Sequence, residues 1–285
     1  MNRSGPVLVV VLLIAVLALG AVLIARSRQS PTAPAAAGVV VYAPCGMTSP
    51  ITTAAHLFRQ AHPDTDLQIE YDNAIVLVRK IRAGARPDVF ISPGELEMRQ
   101  LTEEGFIDAD SVRDFASLDL VVFAPSSTEG LNTIQDLLSP TVATVSLADP
   151  QYNSVGYYGE QALRTLGLWE PLQSKLILRE YPLEAVTLVT SGDVDAGVTY
   201  LTCPLDTAPD KADGSDLRIV ETFPRDTYPR VRCQVALLNE TRQRDDAQLF
   251  IDFMVSEQAQ EAIATNGLLP VSSLEAPPAS TEETE

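Results

Sequence analysis

Short apolar runs alternate with longer stretches of helical period along most of this chain. Val39-Val40-Val41-Tyr42 is an unbroken run of strand length, which predicts a strand buried on both faces. From Ile51 to Ala61 apolar residues return at Ala54, Ala55 and Phe58, the spacing of one helix face. Leu67 to Tyr71 alternates apolar and polar and predicts a strand; Ile75 to Arg82 predicts the helix after it. Asp88 to Ile91 and Glu95 to Glu104 repeat the pair. Strand and helix alternating in this way predict a parallel sheet with helices on both faces. A second unit follows, with strands expected at Thr144–Leu147, Leu176–Arg179 and Gly197–Tyr200 and helices at Tyr157–Leu166 and Leu183–Ser191. Leu249 to Thr265 reads as one closing helix. Two α/β units in one chain put a cleft between them, where loops at the carboxyl ends of strands converge.

The ends of the chain differ from its middle. Pro6 to Ala25 is apolar throughout, flanked by Arg3, Arg26 and Arg28, and about 20 residues are enough to cross a hydrocarbon core. Residues 1–28 are therefore expected to be an N-terminal transmembrane anchor or signal segment. Ala35-Ala36-Ala37 before Gly38 keeps cleavage open as the alternative to a retained anchor. Residues 29–38 read as a flexible tether, and residues 275–285 as a disordered acidic tail.

Charge narrows the function. The formal net charge is −18. Setting aside Arg3, Arg26, Arg28, Glu275, Glu282, Glu283 and Glu285 leaves 17 basic against 34 acidic residues, so the folded part is itself strongly acidic. Such a surface repels phosphate backbones, and no nucleic-acid partner is expected. An anionic ligand would rely on backbone N–H groups and helix N-termini. The two histidines, His56 and His62, fall on the polar side of the first helix without a metal-ligand partner at suitable spacing. No phosphate-loop or dinucleotide glycine pattern occurs. No catalytic residue and no cofactor is expected; the chain reads as a binder and not as an enzyme.

Several segments, in order, carry a resemblance. Tyr42-Ala43-Pro44 opening a helix, Leu77 to Gly84, Pro87 to Ser92, Leu120 to Pro125, Ala148-Asp149-Pro150, Val189 to Tyr200 and Phe250 to Gln260 resemble the periplasmic molybdate-binding proteins of ABC transporters. The resemblance spans about residues 39–272. It implies a two-lobed type II periplasmic-binding-protein fold, each lobe a mostly parallel sheet with flanking helices and the ligand cleft between the lobes. The implied division is 39–122 for the first part of lobe 1, 123–232 for lobe 2 and 233–274 for the return to lobe 1. Crossings are expected near Val121–Ala124 and Val231–Ala236. It also implies an extracytoplasmic location, an ABC permease as partner and a small oxyanion as ligand.

Carried onto this chain, the ligand loops are Cys45 and Gly46, then Asn73 and Ala74, then Ser154 and Val155, with Tyr200 as an O–H donor. The first two loops lack the hydroxyls of the molybdate-binding pattern, Pro182 has no N–H to offer near a further contact, and Asp72 near the cleft would repel an anion. Besides unrelated buried free cysteines, Cys45, Cys203 and Cys233 keep two further readings open. One is a Cys203–Cys233 disulfide with Cys45 as a small buried residue. The other is three thiolates on a soft ion such as Cu(I) or arsenite, for metal binding or sensing on the same scaffold.

Overall fold

The computed structural model describes residues 38–207 and 217–274. The expected anchor and the acidic tail lie outside the described residues. The described residues form one compact unit.

The first sheet opens with β1 (Val39–Pro44), whose alternation feeds two separate cores. Val39, Val41 and Ala43 pack on α1 (Thr48–Ala61) through Ile51, Ala54, Ala55 and Phe58. Tyr42 faces the other way, onto α2 (Ala74–Arg82) and α3 (Glu95–Glu103), through Leu77, Val78, Ile81, Met98 and Leu101. A strand sandwiched in this way needs an unbroken apolar run, which is what residues 39–42 supply. β2 (Leu67–Asp72) and β3 (Val89–Ser92) both pair with β1 in parallel.

The chain next forms β4 (Arg113–Leu118) in the first sheet and, one residue later, β5 (Leu120–Pro125) in the second. Asp119 is the point of passage. The second sheet also holds β6 (Val145–Ala148), β7 (Leu176–Arg179), β8 (Ala196–Tyr200) and β9 (Leu217–Thr222), in the order β7-β6-β8-β5-β9. Its helices are α4 (Ser154–Thr165), α5 (Trp169–Leu172) and α6 (Pro182–Thr190), and α7 (Thr202–Thr207) follows β8. The return is β10 (Val231–Leu237), then α8 (Arg244–Met254), α9 (Glu257–Ala264) and β11 (Leu269–Pro270). The first sheet thus has the order β11-β4-β10-β3-β1-β2. This is a two-lobed type II periplasmic-binding fold.

Four details differ from the sequence expectation. The sheets are mixed rather than mostly parallel: β10 runs antiparallel to β3 and β4, and β5 antiparallel to β8 and β9. The strands that carry the chain between lobes enter from the opposite end, so their direction is reversed. Val121–Ala124 does not cross but lies within the second sheet, and Val231–Ala236 lies within the first. The first change of sheet falls at Asp119, and the return falls between β9 and β10. The closing helix is two helices, because the Ser256 side chain caps Ala259 N–H and starts a new one.

Candidate ligand-binding site

Strand after strand ends at one place. β1 runs into a short 3-10 turn at Cys45–Met47, β2 into Asn73 and α2, and β6 into Asn153 and α4. β7 leads to Tyr181 and α6, which begins with Pro182, and β8 ends on Tyr200. Residues from all five of these junctions line a cavity of about 40 Å³ between the lobes, among them Cys45, Asn73, Val155, Pro182 and Tyr200. One water needs about 10–15 Å³ on this measure, so the space suits a ligand of a few heavy atoms. A second cavity of about 240 Å³ adjoins it and shares Cys45, Gly46, Pro182 and Cys203.

The electrostatics of this cavity come from the backbone. The first residues of α2 and α6 and the second residue of α4 line it, so three helix N-termini aim partial positive charge into one space. At α2 the Asn73 side chain does not cap its own helix. Instead Oδ1 accepts the Leu183 N–H at 3.3 Å, from the opposite lobe, and lies 4.0 Å from the Cys45 Sγ. Tyr200 is 3% exposed, and its hydroxyl has no hydrogen-bond partner within the protein. Burial, with Tyr158 and Glu97 nearby, pushes that phenol well above its ordinary range, so it stays a neutral O–H donor. A buried hydroxyl left without a partner in a cavity wall is a donor awaiting a ligand.

One acidic group enters the same cavity. Glu97, on the first turn of α3, is 2% exposed. Its Oε1 accepts the Ser154 N–H at 2.8 Å, and Oε2 takes the Ser154 hydroxyl in a short bond, with Ser92 Oγ 3.5 Å away. A carboxylate from the first lobe therefore occupies the first N–H of α4 in the second. Burial raises its proton affinity, while the two Ser154 donors oppose that shift.

This architecture is shared with known proteins. The family described as bacterial extracellular solute-binding protein matches residues 39–269. The chain belongs to that family. The solute-binding protein is 26% identical to the molybdate-binding protein of Escherichia coli (strain K12), over 80% of this chain and 88% of that one. It is 23% identical to a Bacillus subtilis (strain 168) protein described as an ABC transporter substrate-binding lipoprotein, over 74% and 78% of the two chains. The solved periplasmic molybdate-binding protein of Azotobacter vinelandii superposes with a TM-score of 0.66 at 23% identity, covering 81% of this chain and 97% of that one.

In this solute-binding protein Cys45, Gly46, Asn73, Ala74, Val155 and Tyr200 line the one cavity. Ser154 does not; its N–H and hydroxyl face Glu97. Asp72 also lies outside the lining, with its carboxylate held by Lys80 at 2.8 Å and by the Asn73 N–H at 2.8 Å. Its expected repulsion of an anion is therefore largely neutralised on the spot.

The cysteines need correction. Cys45 and Cys203 come to the cavity, where a Cβ on Gly46 would stand only 2.7 Å from the Cys203 Sγ. Cys233 does not join them. It is wholly buried on β10, its Sγ 3.7 Å from the Pro93 carbonyl, and burial pushes its thiol well up, so it holds its proton. Neither a Cys203–Cys233 disulfide nor a three-thiolate site is formed: none of the three cysteines is cross-linked. Among the described residues no group of three or more His, Cys, Asp or Glu is arranged to hold a metal. Among the same residues no helix is long and apolar enough to cross a membrane. Glu97 is the residue that sequence reasoning missed. Its signal was a charge four residues before buried Leu101, on an otherwise apolar helix face.

Proposed function

We propose that this solute-binding protein captures a small tetrahedral oxyanion between its lobes and presents it to an ABC permease. The observation that carries the reading is the unpartnered Tyr200 hydroxyl in a small cavity at which three helix N-termini converge. Backbone dipoles and neutral donors suit a desolvated anion, because they supply positive potential without a buried cation. The relatives named as molybdate-binding and as an ABC transporter component support the ligand class and the partner. The first two loops offer Cys45, Gly46, Asn73 and Ala74 rather than hydroxyls, so we read specificity as shifted from the molybdate-binding pattern. The apolar segment Pro6–Ala25 would hold the domain at the outer face of the membrane.

Calorimetric titration of residues 38–285 with molybdate, tungstate, sulfate and phosphate tests this. At least one is expected to bind with one-to-one stoichiometry, indifferent to a thiol reductant. Absence of heat with all four would sink the oxyanion reading.

A further inference from the structure

Glu97 places a carboxylate at the ligand site where the fold gathers its anion donors. This inference rests on the oxyanion reading above. The carboxylate is 2% exposed, lines the cavity and holds the first N–H of α4. Among the described residues no lysine or arginine bonds to it. Among the described residues, the thiols of Cys45 and Cys203 line the same cavity, and further charged and titratable groups lie around it. Glu95 of its own helix accepts the Tyr158 hydroxyl of α4 at 3.3 Å and lies 4.0 Å from Arg232 of β10. Arg232 is itself committed to Asp114 at 2.6 Å. Tyr200 of β8 and Cys233 of β10 are buried and neutral.

An oxyanion brought into this cavity meets Glu97 across low-dielectric space with no intervening cation. Two like charges cannot both persist there, and the one that can be discharged is the carboxyl group. We propose that capture of an oxyanion in this cleft takes up one proton at Glu97, making Glu97 a specificity-determining residue. In its protonated form the carboxyl keeps one oxygen on the Ser154 N–H and turns its O–H toward the anion. The group that blocks the site thereby becomes a donor to it. Ligands that bring a proton of their own, such as hydrogen phosphate, satisfy the same requirement from the other side.

The experiment is calorimetry of the protein with molybdate, sulfate and phosphate in pairs of buffers of different ionisation enthalpy, between pH about 6 and 9. In the pH range where Glu97 is ionised before binding, one proton is taken up per molybdate or sulfate, and affinity falls about tenfold for each pH unit. In Glu97→Gln the uptake vanishes and affinity becomes flat with pH. Tyr200→Phe binds more weakly yet keeps the uptake. Should Glu97→Gln fail to fold, judged by circular dichroism, Glu97→Met removes the ionisation with a side chain of similar length. Binding with no proton uptake anywhere in this range overturns the proposal and leaves the oxyanion reading standing. Uptake that persists in the Glu97 variant also overturns it. No binding of any of the three anions removes the oxyanion reading, and the proton coupling falls with it.

Discussion

Two helix starts face the same cavity and are treated in opposite ways. At α4, Asn153 caps its own helix by accepting the Gly156 N–H at 3.0 Å, and Glu97 reaches from the other lobe to take the Ser154 N–H. At α2, Asn73 leaves its own helix uncapped and uses its side chain across the cleft. One start is answered by side chains of the protein, and the other has no side-chain cap. Both arrangements bridge the lobes, but only the first does so with a group that can ionise. The difference shows that helix dipoles aimed at a pocket do not by themselves define an anion site; what already answers each N–H decides it.

The largest expected effect comes from forcing the satisfied start apart. A Cβ at Gly156 would stand 2.3 Å from the Ala148 carbonyl oxygen, which is backbone and cannot swing away. Gly156→Ala should cost about 3 kcal/mol or more in urea unfolding, as overpacking against backbone does. A loss below about 1 kcal/mol would mean that the turn after β6 yields easily.

Next in size is the neutral donor in the wall of the same cavity. Tyr200→Phe removes a hydroxyl without a protein partner, so stability should hold or rise slightly. Affinity for the captured anion should fall about tenfold to a hundredfold, about 1.5–3 kcal/mol for a hydrogen bond to a charged group. Equal affinity in the variant would remove Tyr200 from the site.

The pH dependence of stability distinguishes the starts without any ligand. Burial raises the proton affinity of Glu97 in the folded protein above that in the unfolded chain. The native state therefore binds more protons at this group, and its contribution falls as pH rises from the ordinary glutamate range toward the raised value. The slope for one group cannot exceed about 1.4 kcal/mol per pH unit. Melting temperature against pH should flatten in Glu97→Gln relative to the parent. A parallel pair of curves would mean that Glu97 is no more basic than an exposed glutamate.

Smallest of all is the open start. Asn73→Ala loses a 3.3 Å bond to the Leu183 N–H and should cost about 1 kcal/mol or less. Its clearer readout is the radius of gyration by small-angle scattering, which should rise as the lobes part. An unchanged radius would mean that the remaining contacts between the lobes, among them Glu97–Ser154, Glu95–Tyr158 and Arg79–Glu180, hold them together without it.

Much of the fold was legible because strands buried on both faces must be apolar throughout. Residues 39–42 and 89–91 announce themselves in that way, and the loops after them follow from strand ends. The break at Ser256 was hidden because Phe250, Met254 and Ile263 keep an apolar period across it, while one capping hydroxyl overrides that period. The six lining positions followed from the resemblance, since each sits at a strand-to-helix junction. The cysteine convergence failed for a simple geometric reason. Successive side chains on a strand face opposite ways, and nothing in the residues around Cys233 says which face meets the cleft. Glu97 was missed because an acid in the first turn of a helix ordinarily faces water, near its own helix N-terminus.

The position of β10 has a consequence for biogenesis. It lies between β3 and β4, antiparallel to both. A chain emerging in N-to-C order completes the whole second sheet before residue 231 appears. Until then the first sheet exists as two separate pieces, β1 to β3 on one side and β4 on the other, each with an open edge. One lobe is therefore finished early and the other waits half-built for its central strand. A holdase that protects exposed edges on the far side of the membrane would find its longest work on residues 39–118, and truncation between β9 and β10 would leave a complete second sheet attached to an unclosed first.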